Sequence, residues 1–333
     1  MVWIEFLICI ALIGFGGTLL SRYGDAIAEK TGLGRNWVGL VLMATVTSLP
    51  ELVTGISAVT IAGVPDIAIG DVLGSCVFNL GILVIIDFLY REEPVYTRAS
   101  RGHILSAGFG IVLIGLTGLS ILLAHQGLMP TMFHVGLYTP AIVALYLVAM
   151  RMVFHYERRE MAKFVESAML QYKEITLRQA VTGYGLSALL VLVAGTWLPF
   201  VGGEIAREMG WHQSFVGTLL IAAATSAPEI AVTIGAMRIG ALDMAIANLL
   251  GSNLFDILII AADDLFYWKG PILADVSMVH AYSAFSAIIM TGITIVGLFY
   301  RPTARVASTV GWISLALLGI YLANSWVLFR HGD

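Results

Sequence analysis

The chain reads as an all-α membrane protein of ten transmembrane helices, arranged as two inverted five-helix repeats. Three observations carry that reading. Of the 333 residues, 59% are hydrophobic and only 12% charged, with a mean hydropathy of +0.89; soluble domains carry about 25% charged residues. The segment Ala-Thr-Val-Thr-Ser-Leu-Pro-Glu at 44–51 returns as Ala-Ala-Ala-Thr-Ser-Ala-Pro-Glu at 222–229. The two copies are five spans apart, an odd number, so the second half enters the bilayer from the opposite side. Ten-residue strands of alternating hydrophobicity are absent, which argues against a β-barrel.

The spans fall at about 2–20, 37–62, 66–90, 103–124, 133–154, 179–200, 212–237, 242–262, 277–299 and 307–329. Each is near the roughly 20 residues a helix needs to cross a bilayer. The first has no basic residue before it, and its first positive charge is Arg22. That is the pattern of a retained helix with its N-terminus outside, not of a cleaved leader. The second, third, seventh and eighth spans are the least uniform, being interrupted by Pro, Gly and polar residues. Residues 155–178 are rich in Glu, Lys and Arg and join the halves, 1–154 and 179–333. This cytoplasmic linker is too short for a soluble regulatory domain.

Placing the N-terminus outside puts fifteen of the 18 Lys and Arg residues on the cytoplasmic side. Only Arg207, Lys269 and Arg330 then face out. This positive-inside bias places both termini outside and suits a multi-pass protein of the plasma membrane.

The repeat extends beyond one motif. At an offset of 178, identities run through Val38, Gly39, Leu42, Ala44, Thr47, Ser48, Pro50, Glu51, Ile56 and Ala58. At 177 they continue through Asp66, Ala68, Ile69, Leu73, Gly74, Ser75 and Phe78. The one-residue slip falls in the loop between paired spans.

Within each motif, helical spacing puts four residues on one face: Ala44, Thr47, Ser48 and Glu51, then Ala222, Thr225, Ser226 and Glu229. Pro50 and Pro228 have no N–H, so they free the carbonyls of Val46 and Ala224 and kink their helices. The next span adds Ser75 and Asn79 in one half and Ser252 and Asp256 in the other. Gly74 and Gly251 allow close helix approach. Ionisable groups are costly in lipid and mark ion paths. Carboxylates, hydroxyls and carbonyls are hard oxygen ligands, suited to Ca²⁺ and Na⁺ rather than to zinc or copper. The seven histidines scatter, mostly near span ends, with no His/Cys cluster for zinc. Cys9 and Cys76 lie in apolar spans and read as small core residues. Asp66 and Asp243 sit at span entrances and read as caps or interfacial charges, while Asp263 and Asp264 read as a solvated outer patch that could attract cations.

Paired Thr-Ser-x-Pro-Glu segments, each followed by Gly-Ser-x-x-Phe-Asn/Asp, resemble the sodium/calcium exchangers of the Ca²⁺/cation antiporter superfamily. The resemblance covers nearly the whole chain and implies an antiporter, not an enzyme, working by alternating access without a cofactor. It implies Glu51 and Glu229 as central Ca²⁺ ligands, joined by the carbonyls of Thr47 and Thr225. It implies Na⁺ sites built from Ser48, Ser226, Ser75, Ser252 and the carbonyls of Ala44 and Ala222. Asn79 and Asp256 would line the middle. Val46 and Ala224 stand where the family often has Gly, and Asp71 and Cys76 where it commonly has Asn. Asp71 adds a carboxylate that could carry a proton. The expected partners are Ca²⁺, Na⁺ and the bilayer, with no nucleic acid, and the protein is expected to be a monomer. H⁺/Ca²⁺ exchange and K⁺-dependent Na⁺/Ca²⁺ exchange remain alternatives on the same fold. A distant one is an intramembrane aspartyl protease, suggested only by Gly70-Asp71.

Overall fold

Apolar helices account for nearly all of the computed structural model, which describes residues 1–31, 46–90, 95–165, 174–238, 242–306 and 309–331. In the first half these are α1 (Val2–Thr31), α2 (Leu49–Ala62), α3 (Pro65–Leu89), α4 (His103–His125) and α5 (Tyr138–Val165). In the second they are α6 (Leu177–Met209), α7 (Gln213–Thr225), α8 (Ala227–Arg238), α9 (Leu242–Phe266), α10 (His280–Tyr300) and α11 (Trp312–His331). Seven of them are long and apolar enough to cross a membrane. The pair α7 and α8, bent by 45°, makes an eighth such span, and α2 and Tyr138–Val153 are shorter apolar helices. Large apolar side chains lie bare along the outer faces, among them Phe15 of α1, Leu186 of α6 and Phe299 of α10. Such a surface suits lipid and not water.

Helices α3 and α9 form the centre of the bundle. Some 67% and 72% of their most apolar windows are buried, against 22% for α11. Helix α1 packs on α6, and α4 packs on α10. Where α3 crosses the second half, small residues bring backbones together. A Cβ added at Gly74 would sit 2.4 Å from the Thr218 carbonyl oxygen and 2.8 Å from the Ala222 Cβ. Its counterpart Gly251 has no described atom within 4 Å of a Cβ. The residues matching Thr218 and Ala222 at the offset of 178, Leu40 and Ala44, lie outside the described residues.

The helix ends depart from the sequence expectation in a regular way. Expected spans at 133–154 and 307–329 begin later, at Tyr138 and Trp312. Each is preceded by a small antiparallel hairpin: β1 (Thr131–Met132) with β2 (Val135–Gly136), and β3 (Arg305–Val306) with β4 (Val310–Gly311). Helix α5 runs on to Val165, so much of the expected linker is helical.

Two aspartates explain these ends. Asp87 is fully buried at the end of α3 and accepts from the amides of Val95 and Gly311, at 3.1 and 2.8 Å, and from the Ser314 hydroxyl at 2.8 Å. Asp264, 177 residues later, accepts from the amides of Ile272 and Gly136 and from the hydroxyls of Thr139 and Tyr138. Each thus ties a hairpin and the first turn of a following helix to one carboxylate, where the helix dipole favours negative charge. This corrects the outer-patch expectation. Asp264 and Asp263 are both fully buried.

A second matched pair links the halves. Asp66 at the start of α3 accepts from the Ser277 amide at 2.6 Å, and His280 Nε2 lies 2.9 Å away. Asp243 at the start of α9 accepts from the Ser100 amide at 2.7 Å, with His103 Nε2 at 3.0 Å. Neither is a helix N-cap: each binds the turn ahead of a helix in the opposite half, three residues before α10 and before α4 begin.

The Gly74 contact predicts a contrast between two substitutions. Gly74→Ala forces a Cβ into backbone and should cost about 1–3 kcal/mol. Gly108→Ala, with nothing within 4 Å, should be neutral or stabilise by up to about 1 kcal/mol. Thermal unfolding in detergent measures both.

Candidate cation site

Each Thr-Ser-x-Pro-Glu motif breaks its helix at the serine. Ser48 has φ −89° and ψ 16°, and Ser226 has φ −78° and ψ 9°. Proline two residues later cannot supply an N–H, so the helix restarts with a new axis. The breaks aim both serine hydroxyls at the other half's glutamate. Ser48 Oγ donates to Glu229 Oε1 at 3.4 Å, and Ser226 Oγ donates to Glu51 Oε1, also at 3.4 Å.

Helices α3 and α9 complete the cluster. Ser75 and Ser226 hydroxyls lie 3.1 Å apart, Ser252 Oγ lies 3.3 Å from Glu229 Oε1, and Thr47 Oγ1 lies 3.4 Å from Ser252 Oγ. Asn79 donates to Asn253 Oδ1 at 3.0 Å, and Asn253 donates to the Cys76 carbonyl at 3.1 Å. Thr225 Oγ1 lies 2.8 Å from Asp71 Oδ1. All of these side chains are buried, none more than 3% exposed. The sequence-predicted Thr47, Ser48, Glu51, Asp71, Ser75, Asn79, Ala222, Thr225, Ser226, Glu229, Ser252 and Asp256 therefore converge in the interior. Ala44 lies outside the described residues.

Several oxygens in the cluster have no hydrogen-bond partner among the described residues: Glu51 Oε2, Glu229 Oε2, Asp71 Oδ2, Asn79 Oδ1 and both carboxyl oxygens of Asp256. Among the described residues, no Lys, Arg or His pairs with these carboxylates. Nor is there a group of three or more His, Cys, Asp or Glu arranged to hold a metal by themselves. What the cluster offers is carboxylate oxygens interleaved with hydroxyls and amide oxygens, a donor set for a hard cation. A cation would also repay the cost of burying unpaired carboxylates.

The Ala222 carbonyl is already engaged. It accepts from the Ser226 amide at 3.0 Å and lies 3.2 Å from Thr225 Oγ1. The Thr225 hydroxyl has one proton to share among Asp71, Ile221 O and Ala222 O.

Sequence reasoning missed Asn253 as the bridge between α3 and α9. It also missed His103 and His280, although these repeat at the same offset of 177 as Asp66 and Asp243. That recurrence was the available signal.

The sequence matches the family described as "Sodium/calcium exchanger protein" over residues 1–164 and 180–328. It is similar to Sodium/calcium exchanger MaX1 of Methanosarcina acetivorans, at 25% identity over 99% of each chain. The fold resembles that of the sodium-calcium exchanger NCX_Mj, with a TM-score of 0.60 and 19% identity over 97% of this chain and 98% of that one. It also resembles the H⁺/Ca²⁺ exchanger CAX, with a TM-score of 0.67 and 12% identity over 99% and 86%.

The cluster predicts that Ca²⁺ stabilises the purified protein. At a hundredfold its dissociation constant the gain is about 2.7 kcal/mol, seen as a higher melting temperature in detergent. Glu229→Gln should lose most of that shift; a full shift in the variant would count against the site.

Proposed function

The chain belongs to the sodium/calcium exchanger protein family, and on that premise we propose that it exchanges Ca²⁺ for Na⁺ across the plasma membrane by alternating access. The family consists of exchangers, not enzymes, so the protease reading of Asp71 drops out. The protein is an integral, multi-pass membrane protein with a cation/Ca²⁺ antiporter fold.

The observation that carries the proposal is the reciprocal pairing of Ser48 with Glu229 and Ser226 with Glu51. Exchange of partners between equivalent residues is what a two-fold axis produces. The crossed pairs Asp66–His280 and Asp243–His103 follow the same rule. We take this as support for ten spans in two inverted halves, 1–154 and 179–333; the Lys and Arg bias supports placing the 155–178 linker on the cytoplasmic side and both termini outside. The working unit on this reading is a monomer.

In the proposed mechanism Glu51 and Glu229 hold Ca²⁺ between them, with the carbonyls of Thr47 and Thr225. Ser48, Ser75, Ser226, Ser252 and the carbonyls of Ala44 and Ala222 serve Na⁺, while Asn79 and Asp256 line the middle. Ca²⁺ and Na⁺ then compete for the same carboxylates. Occupancy by either neutralises the buried charge, which lowers the cost of switching faces. An empty site, with its carboxylates bare, switches poorly, and that enforces exchange over leak.

Asp71 favours a role for protons beside Na⁺. While its carboxylate is charged, it draws the Thr225 hydroxyl toward itself. Once protonated, it no longer needs that proton, and Thr225 turns to its own helix, where Ala222 O is in reach. Protonation of Asp71 thereby weakens a Na⁺ ligand. Potassium dependence remains a further reading, because Asp256 stands where K⁺-dependent relatives have an aspartate.

Proteoliposomes loaded with Na⁺ should take up Ca²⁺ when the Na⁺ gradient is imposed. Uptake indifferent to Na⁺, but driven by pH or K⁺ gradients, would overturn the coupling. Glu51→Gln and Glu229→Gln should each abolish exchange, and near-normal flux in either refutes their role. Asp71→Asn should preserve Na⁺-driven flux and flatten its dependence on pH.

A further inference from the structure

We propose that Asp263 forms a second cation station, set between the central cluster and the membrane face at which α9 ends. The proposal rests on the antiporter reading and adds a site to its path. Asp263 is fully buried, yet neither carboxyl oxygen has a hydrogen-bond partner among the described residues. Its neighbour Asp264 is satisfied by four donors. Asp263 is thus bare where its neighbour is saturated, as Asp256 is in the central cluster.

Its position ties it to the transport site. Asp263 lies seven residues, two helical turns and about 10 Å, beyond Asp256 on α9. Its carboxylate leans against Gly55 of α2, where an added Cβ would sit 2.6 and 2.7 Å from the two oxygens. Gly55 is one turn, about 6 Å, beyond Glu51. The absence of a side chain at residue 55 is what admits the carboxylate. The adjacent Thr54 does not share this site: its hydroxyl faces Gly195 of α6. The other half has no such feature. At the offset of 178, Gly55 is matched by Thr233, and at 177 Asp263 is matched by Ile86.

A carboxylate stripped of water and of partners is costly to keep. Two carboxylate oxygens suit the same hard cations as the central cluster. With a single carboxylate, the station binds a cation weakly enough to pass it on, as a conduction path requires. It serves ions that enter or leave by one face only, because the opposite half of the path has isoleucine in its place.

The test is the half-saturating Ca²⁺ concentration for exchange, measured separately from each face in proteoliposomes of known orientation. Asp263→Asn should raise it about tenfold at the face where α9 ends and leave the opposite face unchanged. The Ca²⁺-induced rise in melting temperature, which reads the central cluster, should persist. Gly55→Ala keeps the charge but displaces the carboxylate, and should give the same one-sided shift should Asp263→Asn fail to fold. Equal shifts at both faces, or none at either, would overturn the station. Absence of Na⁺-driven exchange in the unsubstituted protein would instead count against the proposed function.

Discussion

The structure is organised around buried carboxylates that have no basic partner. Glu51, Glu229, Asp71 and Asp256 sit in an apolar bundle, and no Lys, Arg or His among the described residues reaches them. Such groups are tolerable only when hydroxyls, amides or a bound ion share their charge. The broken helices, the converging serines and the close approach at Gly74 all follow from that requirement. Breaking the helix at Ser48 and Ser226 turns each hydroxyl toward a glutamate it would otherwise miss.

A second group of acids does the opposite work. Asp87 and Asp264 are fully buried and spend their oxygens on backbone amides and hydroxyls. Asp66 and Asp243 each reach across to a helix start in the other half. These acids therefore fall into saturated ones that fasten helix ends and ones that keep carboxyl oxygens without a partner among the described residues. Residue type alone does not separate the two groups; the number of donors does.

Much of this was legible in the sequence. The duplicated motif pointed to the buried cluster, because proline, serine and glutamate in an apolar run have few other uses. Of the ten apolar segments, seven match long apolar helices, one the bent pair α7 and α8, and two the shorter helices α2 and Tyr138–Val153, with 37–45 outside the described residues. The role of Asp264 was not legible, since two adjacent aspartates at a span end look like a solvated patch until the hairpin amides arrive from 128 residues away. The hairpins themselves were hidden because paired two-residue strands leave almost no periodic signal. Asn253 and the histidine pairs required knowing which helices cross, which is a property of the fold and not of any one segment.

The crossed Asp–His pairs bind the two halves to each other. Asp66 and His103 belong to one half, and Asp243 and His280 to the other, yet each bond joins one half to the other. A single half thus carries both members of the pair and, in an inverted arrangement, cannot use them on itself. Two identical copies of one half, inserted in opposite orientations, would close both bonds with each other. Such crossed pairing is what a two-fold axis between two like halves produces. One chain carrying both halves lets each differ where the other does not, and Asp71 and Asp263 are not repeated: Asn248 and Ile86 stand at the matching positions.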